Sequence, residues 1–338
     1  MHRFLYVLFS AIVACSNDGS EVVNNPPGSF SIQTIATTPT VATLSWTASV
    51  DPDGDAVTYQ ISRNEVEIAK GLTRLNYTFA DLIPGTSYSG AISAVDGKGG
   101  VTSVAYTFTA ASNAPNTSTF NIPSEIASYY SGLDFSKTGT ELYDQLATLT
   151  ITKHKNILEY GERHPYLKKA DADLTDNSKV IVIYTGEKRN ISEINGNVNT
   201  EHVYPQSKIG NTAKGDLHHL RYCDSRVNSN RGNMPFTSGS GATRQIGNGW
   251  YPGDDWRGDV ARMILYLSLR YNEDLGTAIS TEGVSLLLKW NAQDPVSAIE
   301  KNRNNVIQGA QGNRNPFIDN PYLATLIWGY DEAQNTWK

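Results

Sequence analysis

Glu201 and His202 stand side by side in the run Val198-Asn199-Thr200-Glu201-His202-Val203-Tyr204-Pro205. Asn228 follows in Arg226-Val227-Asn228-Ser229-Asn230-Arg231-Gly232-Asn233. A carboxylate beside an imidazole, with an amide on a helix-compatible segment a short way on, can gather a metal ligand, a base and a second ligand around one phosphate. A phosphodiester is shielded by its own negative charge. Its hydrolysis therefore needs a hard cation on the phosphate oxygens and an activated water opposite the leaving oxygen. Oxygen ligands suit magnesium, which keeps several of its waters and wants one or two ligands from the protein. Glu201 and Asn228 can supply them, and an imidazole free of the metal can take a proton from water near neutral pH, a role that fits His202.

The segment between these runs reads Gly215-Asp216-Leu217-His218-His219-Leu220. Asp216, His218 and His219 invite a zinc reading, but adjacent histidines on a strand or helix do not face one ion, and no cysteine or third spaced histidine completes a tetrahedral set. Support of the ligands from behind is the expected role of the trio. Lys208, Lys214, Arg221, Arg226 and Arg231 cluster in the same stretch, and of these Lys208, Lys214, Arg221 and Arg231 are the candidates to meet a phosphate. Cys223 has no activating neighbour and reads as a small buried hydrophobe.

A net charge of -6 sits badly with a polyanionic partner until its location is considered. Between residues 16 and 110 nine acidic side chains face four basic ones, so most of the excess lies far along the chain from Glu201. The 338 residues suit about two domains. Residues 1–15 carry Arg3 and then an apolar run ending Ile12-Val13-Ala14-Cys15, too short for a membrane span and typical of a signal peptide. Small residues before Cys15 resemble a bacterial lipobox, which would lipidate Cys15 and leave Cys223 as the one free thiol, with no disulfide framework. An exported protein is expected, either secreted or held at the outer membrane or cell surface by that lipid, and monomeric.

Residues 16–28 form a polar tether containing Asn24-Asn25-Pro26-Pro27-Gly28. Short β-rich runs follow at 41–46, 56–63, 75–79, 87–95 and 102–109, separated by Asp51-Pro52-Asp53-Gly54, Pro84-Gly85 and the glycines of 97–100. Regular short strands with such turns argue for a β-sandwich. Leu44-Ser45-Trp46, Val57-Thr58-Tyr59 and Leu82-Ile83-Pro84-Gly85-Thr86-Ser87-Tyr88, then Ala94-Val95-Asp96, resemble a fibronectin type III domain over residues 29–110. Its core would include Trp46 and Tyr88, and such a module is expected to space or adhere rather than catalyse. A Ser/Asn/Pro/Thr linker fills 111–118. Beyond it, helical patterns at 136–149, 260–269 and 297–308 and a buried strand at 180–184 make residues 119–338 an α+β domain, with irregular loops over 236–256.

The later runs Arg257-Gly258-Asp259-Val260-Ala261-Arg262, Lys289-Trp290-Asn291, Asp294-Pro295-Val296 and Gln311-Gly312-Asn313-Arg314-Asn315-Pro316-Phe317-Ile318 keep a fixed order after the Glu-His pair. With Tyr129-Tyr130, Glu141-Leu142-Tyr143, Tyr160-Gly161-Glu162 and Tyr184-Thr185-Gly186, they resemble the bacterial endonuclease I family of secreted, non-specific nucleases of the ββα-metal (His-Me finger) class. The resemblance implies a multidomain chain, an all-β fibronectin-like sandwich followed by an α+β ββα-metal nuclease. It implies His202 as general base, Glu201 and Asn228 as ligands of one Mg2+ (Mn2+ or Ca2+ able to replace it in binding), and cleavage of DNA and RNA to 5′-phosphate ends. In the periplasmic branch an arginine for the transition-state phosphate lies in an insertion that this chain lacks. The family usually has Asn where His219 stands. The alternative is a surface adhesin or nucleic-acid-binding protein with an inactive nuclease domain, against which the presence of Glu201, His202 and Asn228 argues.

Overall fold

The computed structural model describes residues 24–37, 39–111, 119–194 and 196–338. The signal sequence, Cys15, most of the tether and most of the linker lie outside the described residues.

The N-terminal part is β1 (Ile32–Thr37), β2 (Ala42–Trp46), β3 (Thr58–Arg63), β4 (Val66–Leu72), β5 (Asn76–Phe79), β6 (Ser87–Val95) and β7 (Val101–Thr109). One sheet has the order β1-β2-β5 and the other β4-β3-β6-β7. Side chains on a strand alternate between faces, so Ala42, Leu44 and Trp46 of β2 are buried while Thr43 and Ser45 are not. Tyr59 and Ile61 repeat the pattern in β3, and the Trp46 and Tyr59 rings lie 5.4 Å apart. Tyr88 differs from the expected core residue: it is half-buried, stacks on Phe108 and accepts the Ile83 N–H at 2.7 Å, closing a corner of the chain. Of the two strands not anticipated, β4 buries no side chain and pairs with β3 through register shifts, which is why its sequence lacks a clean alternation.

The C-terminal part runs α1 (Ser124–Ala127), α2 (Gly139–Lys153), α3 (His164–Ala170), β8 (Ala172–Asp173), β9 (Asp176–Ile181), β10 (Lys188–Asn190), β11 (Val198–His202), β12 (Leu220–Asp224) and α4 (Ser225–Arg231). It continues through β13 (Arg244–Ile246), β14 (Gly249–Tyr251), α5 (Arg257–Tyr271), α6 (Val284–Gln293), α7 (Ala298–Gln311), α8 (Pro316–Asp319) and α9 (Tyr322–Trp328). Helix α5 is buried from Gly258 to Leu269, and α2, α6 and α8 pack on it. It ends at Asn272, whose φ of 57° is the left-handed stop that asparagine tolerates.

Two expectations shift in detail. The apolar run 180–184 is a strand only to Ile181; the chain then turns, and Tyr184 takes a φ of 74°, a conformation that most side chains avoid. That turn aims the Tyr184 hydroxyl at Glu201. Within the expected loops of 236–256, β13 and β14 pair as a short hairpin around Gly247, whose φ is 55°.

Candidate active site

Strands β11 and β12 pair antiparallel with Glu201 opposite Arg221 and His202 opposite Leu220, and β12 runs directly into α4. The strand-to-helix junction is set by Asp224, whose side chain accepts from the N–H groups of Arg226 and Val227 at 3.0 and 3.2 Å. This strand, strand, helix unit brings Glu201 and His202, the last two residues of β11, under the helix that carries Asn228. Asn228 Nδ2 donates to the Thr200 carbonyl at 3.3 Å, which ties α4 to β11 and leaves the amide oxygen without a protein donor among the described residues.

Glu201 is buried, and its Oε1 accepts from the Tyr184 hydroxyl at 2.8 Å and lies 3.3 Å from Arg231 Nη1. Burial raises its pKa against the pull of Arg231 and Tyr184. Oε2 has no protein donor among the described residues. A carboxylate held from one side with its second oxygen free, and a free amide oxygen on the helix tied to the same strand, are donor types that suit a hard cation. Among the described residues the one group of three acidic, histidine or cysteine side chains close enough to share an ion is Asp51, Asp53 and Asp55. It belongs to the loop after β2, where Asp51 closes the turn by accepting from the N–H groups of Asp53 and Asp55 and Lys98 pairs with Asp55 at 2.7 Å.

His202 is buried between two rings: Tyr160 stacks on it at 5.1 Å and His219 meets it edge-on at 5.2 Å. Its Nε2 is shut off from solvent, and the ring also meets the backbone of Lys214. Burial first, then His219 and the cations Arg163 and Lys214, lower its pKa to about 3, so the ring is neutral at physiological pH.

Behind the histidine pair, Asp216 accepts from the hydroxyls of Tyr266 and Tyr271 at 3.0 and 2.8 Å, from Gln311 Nε2 at 3.1 Å and from the His218 N–H at 2.9 Å. Burial alone would push its carboxyl up; His218, His154 and His219 outweigh that and bring it to about 2. Burial lowers His218 and His219 to about 4. The turn also donates the Leu217 N–H to Gln311 Oε1 at 2.7 Å, and Gln311, Asn313 and Asn315 are wholly buried. The Gly/Asn-rich run at 311–317 is therefore a packed support for the Asp216–His219 turn.

The basic residues divide by burial. Arg221 has no exposed surface and is committed to Asp171 at 2.8 Å and Asp259 at 3.1 Å. Arg231 is equally buried and donates to the carbonyls of His202 and Val203 at 3.2 and 2.8 Å as well as pairing with Glu201. Neither guanidinium can touch an incoming phosphate in this arrangement; both fix the backbone around the Glu-His pair. Lys208 donates to the Ala278 carbonyl, and Lys214 is exposed. Cys223 is buried, and burial raises its thiol far from a reactive range. Sequence reading missed Arg163 and Tyr160, which lie about forty residues upstream of His202 yet against it in space. The one sequence signal there was the run Tyr160-Gly161-Glu162, which stops one residue short of Arg163.

The Endonuclease I family model matches residues 138–322, and the fibronectin type III domain model matches residues 25–109. The chain is 40% identical over 227 residues to an extracellular ribonuclease of Bacillus subtilis (strain 168), covering 59% of this chain and 78% of that one. It is 41% identical over 220 residues to an extracellular ribonuclease of Bacillus amyloliquefaciens, covering 57% and 75%. An extracellular deoxyribonuclease of Aeromonas hydrophila is 32% identical over 120 residues, 32% of this chain and 50% of that one. With the family match spanning more than half of the chain and including the whole strand-strand-helix unit of Glu201, His202 and Asn228, this protein belongs to the Endonuclease I family and carries a fibronectin type III domain ahead of its nuclease domain.

Proposed function

We propose that this chain is an exported, metal-dependent endonuclease that hydrolyses phosphodiester bonds of DNA and RNA without sequence selectivity and leaves 5′-phosphate ends. The observation that carries this reading is the placement of Glu201 and His202 at the end of β11 with Asn228 bound to the same strand through Thr200. Relatives named for ribonuclease and for deoxyribonuclease activity support the breadth of substrate. Export, through lipidated Cys15 or by simple secretion, rests on the sequence and on the extracellular relatives.

In this reading Glu201 Oε2 and the Asn228 amide oxygen hold Mg2+. An ion bound there would supply charge neutralisation to the phosphate under attack. His202 takes the proton of the attacking water, as the neutral ring that burial maintains. An approaching polyanion raises the basicity of that ring by favouring its charged form. The water oxygen bonds to phosphorus as the bond to the 3′ oxygen breaks, the departing 3′ oxygen takes a proton from solvent to become the 3′-hydroxyl opposite a 5′-phosphate, and His202 returns its proton to solvent. Tyr184 and Arg231 hold Glu201 in place while Tyr160 and His219 hold the imidazole plane. Contacts confined to phosphates carry no base information, so sequence preference is expected to be weak.

The direct test is degradation of plasmid and of single-stranded RNA by the full chain, with Mg2+ and with EDTA. Both polymers are expected to be cut, and chelation is expected to stop it; cutting that persists in EDTA removes the metal from the mechanism. A protein that binds both polymers but cuts neither is the inactive binding domain. Asn228→Ala is expected to raise the Mg2+ concentration needed for half-maximal rate by tenfold or more, with kcat largely recovered at saturating metal. A loss that is the same at every Mg2+ concentration would contradict a ligand role for Asn228.

A further inference from the structure

Building on the endonuclease reading above, we propose that Arg163 grips the backbone phosphate adjacent to the one being cut. Its guanidinium is held by three contacts. Nε donates to Thr200 Oγ1 at 2.8 Å, Nη1 donates to the Tyr160 carbonyl at 2.6 Å, and the plane lies 3.7 Å from the centre of the Tyr160 ring. The backbone is equally fixed. Residues 160–162 form a helical turn closed by Glu159 and Glu162, and the Arg163 carbonyl accepts from the N–H groups of Tyr166 and Leu167 at the start of α3.

What this rigid cation lacks is an anion. Arg163 is half-exposed, makes no ion pair among the described residues, and its Nη2 has no protein acceptor among them. The neighbouring Glu162 is turned back onto the Glu159 N–H. An arginine built into place on two protein acceptors and an aromatic face, with part of its fork left open, is arranged for phosphate. The other cations near the site do not compete on these terms. Arg221 and Arg231 are sealed, Lys208 is bound to the Ala278 carbonyl, and Lys214 is exposed with no side-chain hydrogen bond or ion pair among the described residues.

Thr200 and His202 lie two residues apart on the same face of β11, about 6.8 Å along the strand. A guanidinium bound to Thr200 is thus one step along the chain from the base, and Tyr160 fills the gap between them by stacking on His202. The phosphate that Arg163 meets is a neighbour of the scissile one, so its energy appears in binding rather than in the chemical step.

The experiment measures binding of the full chain to a defined single-stranded oligodeoxynucleotide in EDTA across a range of salt, together with kcat and KM in Mg2+. Arg163→Gln removes the charge and keeps a donor for Thr200. Its Kd is expected to rise about three- to tenfold near 0.1 M salt, and the slope of log affinity against log salt is expected to become shallower by about 0.7, one phosphate contact. Arg163→Lys is expected to regain most of that slope, and KM is expected to rise while kcat stays within about threefold. A residue that merely props Tyr160 against His202 would leave the slope unchanged, and an unchanged slope overturns the proposal. So does a slope lost equally in Arg163→Lys, or a fall in kcat at unaltered KM. If Arg163→Gln does not fold, Arg163→Met, which keeps the stem over Tyr160, gives the same reading. Wild-type protein that binds without cutting removes the endonuclease reading instead, while the slope still decides the role of Arg163.

Discussion

His202→Ala is expected to lower kcat by about 10²–10⁴-fold, the usual contribution of a positioned base, while leaving Kd for nucleic acid in EDTA within a few-fold of wild type. The separation follows from the geometry. The proposed ligands are Glu201 and Asn228, and each is fixed without help from the imidazole: Glu201 by Tyr184 and Arg231, Asn228 by the Thr200 carbonyl. Truncation leaves a gap between Tyr160 and His219, so a modest loss of stability is expected, and circular dichroism at the assay temperature distinguishes it from the catalytic effect. The half-saturating Mg2+ concentration is expected to stay near its wild-type value. A kcat within threefold of wild type would remove His202 from the base role, and a large rise in the Mg2+ requirement would make it a ligand instead.

Much of this site was legible because its chemistry is contiguous. Glu201 and His202 are neighbours, and Asn228 sits in a helix that begins immediately after the strand pairing with theirs, so local sequence carried most of the information. The same holds for β2 and for the inner stretches of β3 and β6, Tyr59 to Ile61 and Ile92 to Ala94, where alternation of buried and open positions reflects one buried face. The basic residues were opaque for the opposite reason. Arg221, Arg231, Arg262 and Arg303 have the composition of a phosphate-binding surface, yet all are buried on carboxylates or carbonyls supplied from distant parts of the chain. Nothing in the local sequence reveals that Asp171 or Glu300 will be there to receive them. Arg163 was hidden by the same logic in reverse, since only the folded chain sets it beside a strand about forty residues downstream.

That buried network leads to the largest stability effect expected here. Asp171 has no exposed surface; it lies 2.8 Å from Arg221 Nε as an ion pair and accepts from Arg303 Nη1 and from the Tyr222 N–H at 2.8 Å. Arg303 also donates to the carbonyls of Leu217 and Leu220 at 3.0 and 2.9 Å, so this one carboxylate joins α7 and the end of α3 to the strand that faces Glu201. Burial and the repulsion of Arg221 already lower the Arg303 pKa to about 10, and Asp171 opposes both. Asp171→Ala would leave two guanidinium groups facing each other out of reach of water, with Asp259 available to Arg221 alone. Removing one partner from a buried ion pair costs about 3–5 kcal/mol, much of it the penalty of the charge left behind. The urea midpoint should fall accordingly, and activity at low temperature, per folded molecule, should survive better than stability does. A change below about 1 kcal/mol would mean that solvent reaches the network. Arg221→Met leaves Asp171 served by Arg303 but takes from buried Asp259 its partner at 3.1 Å, with Arg262 next at 4.0 Å, so it should also destabilise the fold, and it should leave the salt dependence of nucleic-acid binding unchanged. If instead Arg221→Met flattened that salt dependence, Arg221 would have to leave its buried partners to meet the substrate, and the division between supporting and binding cations drawn from burial would fail.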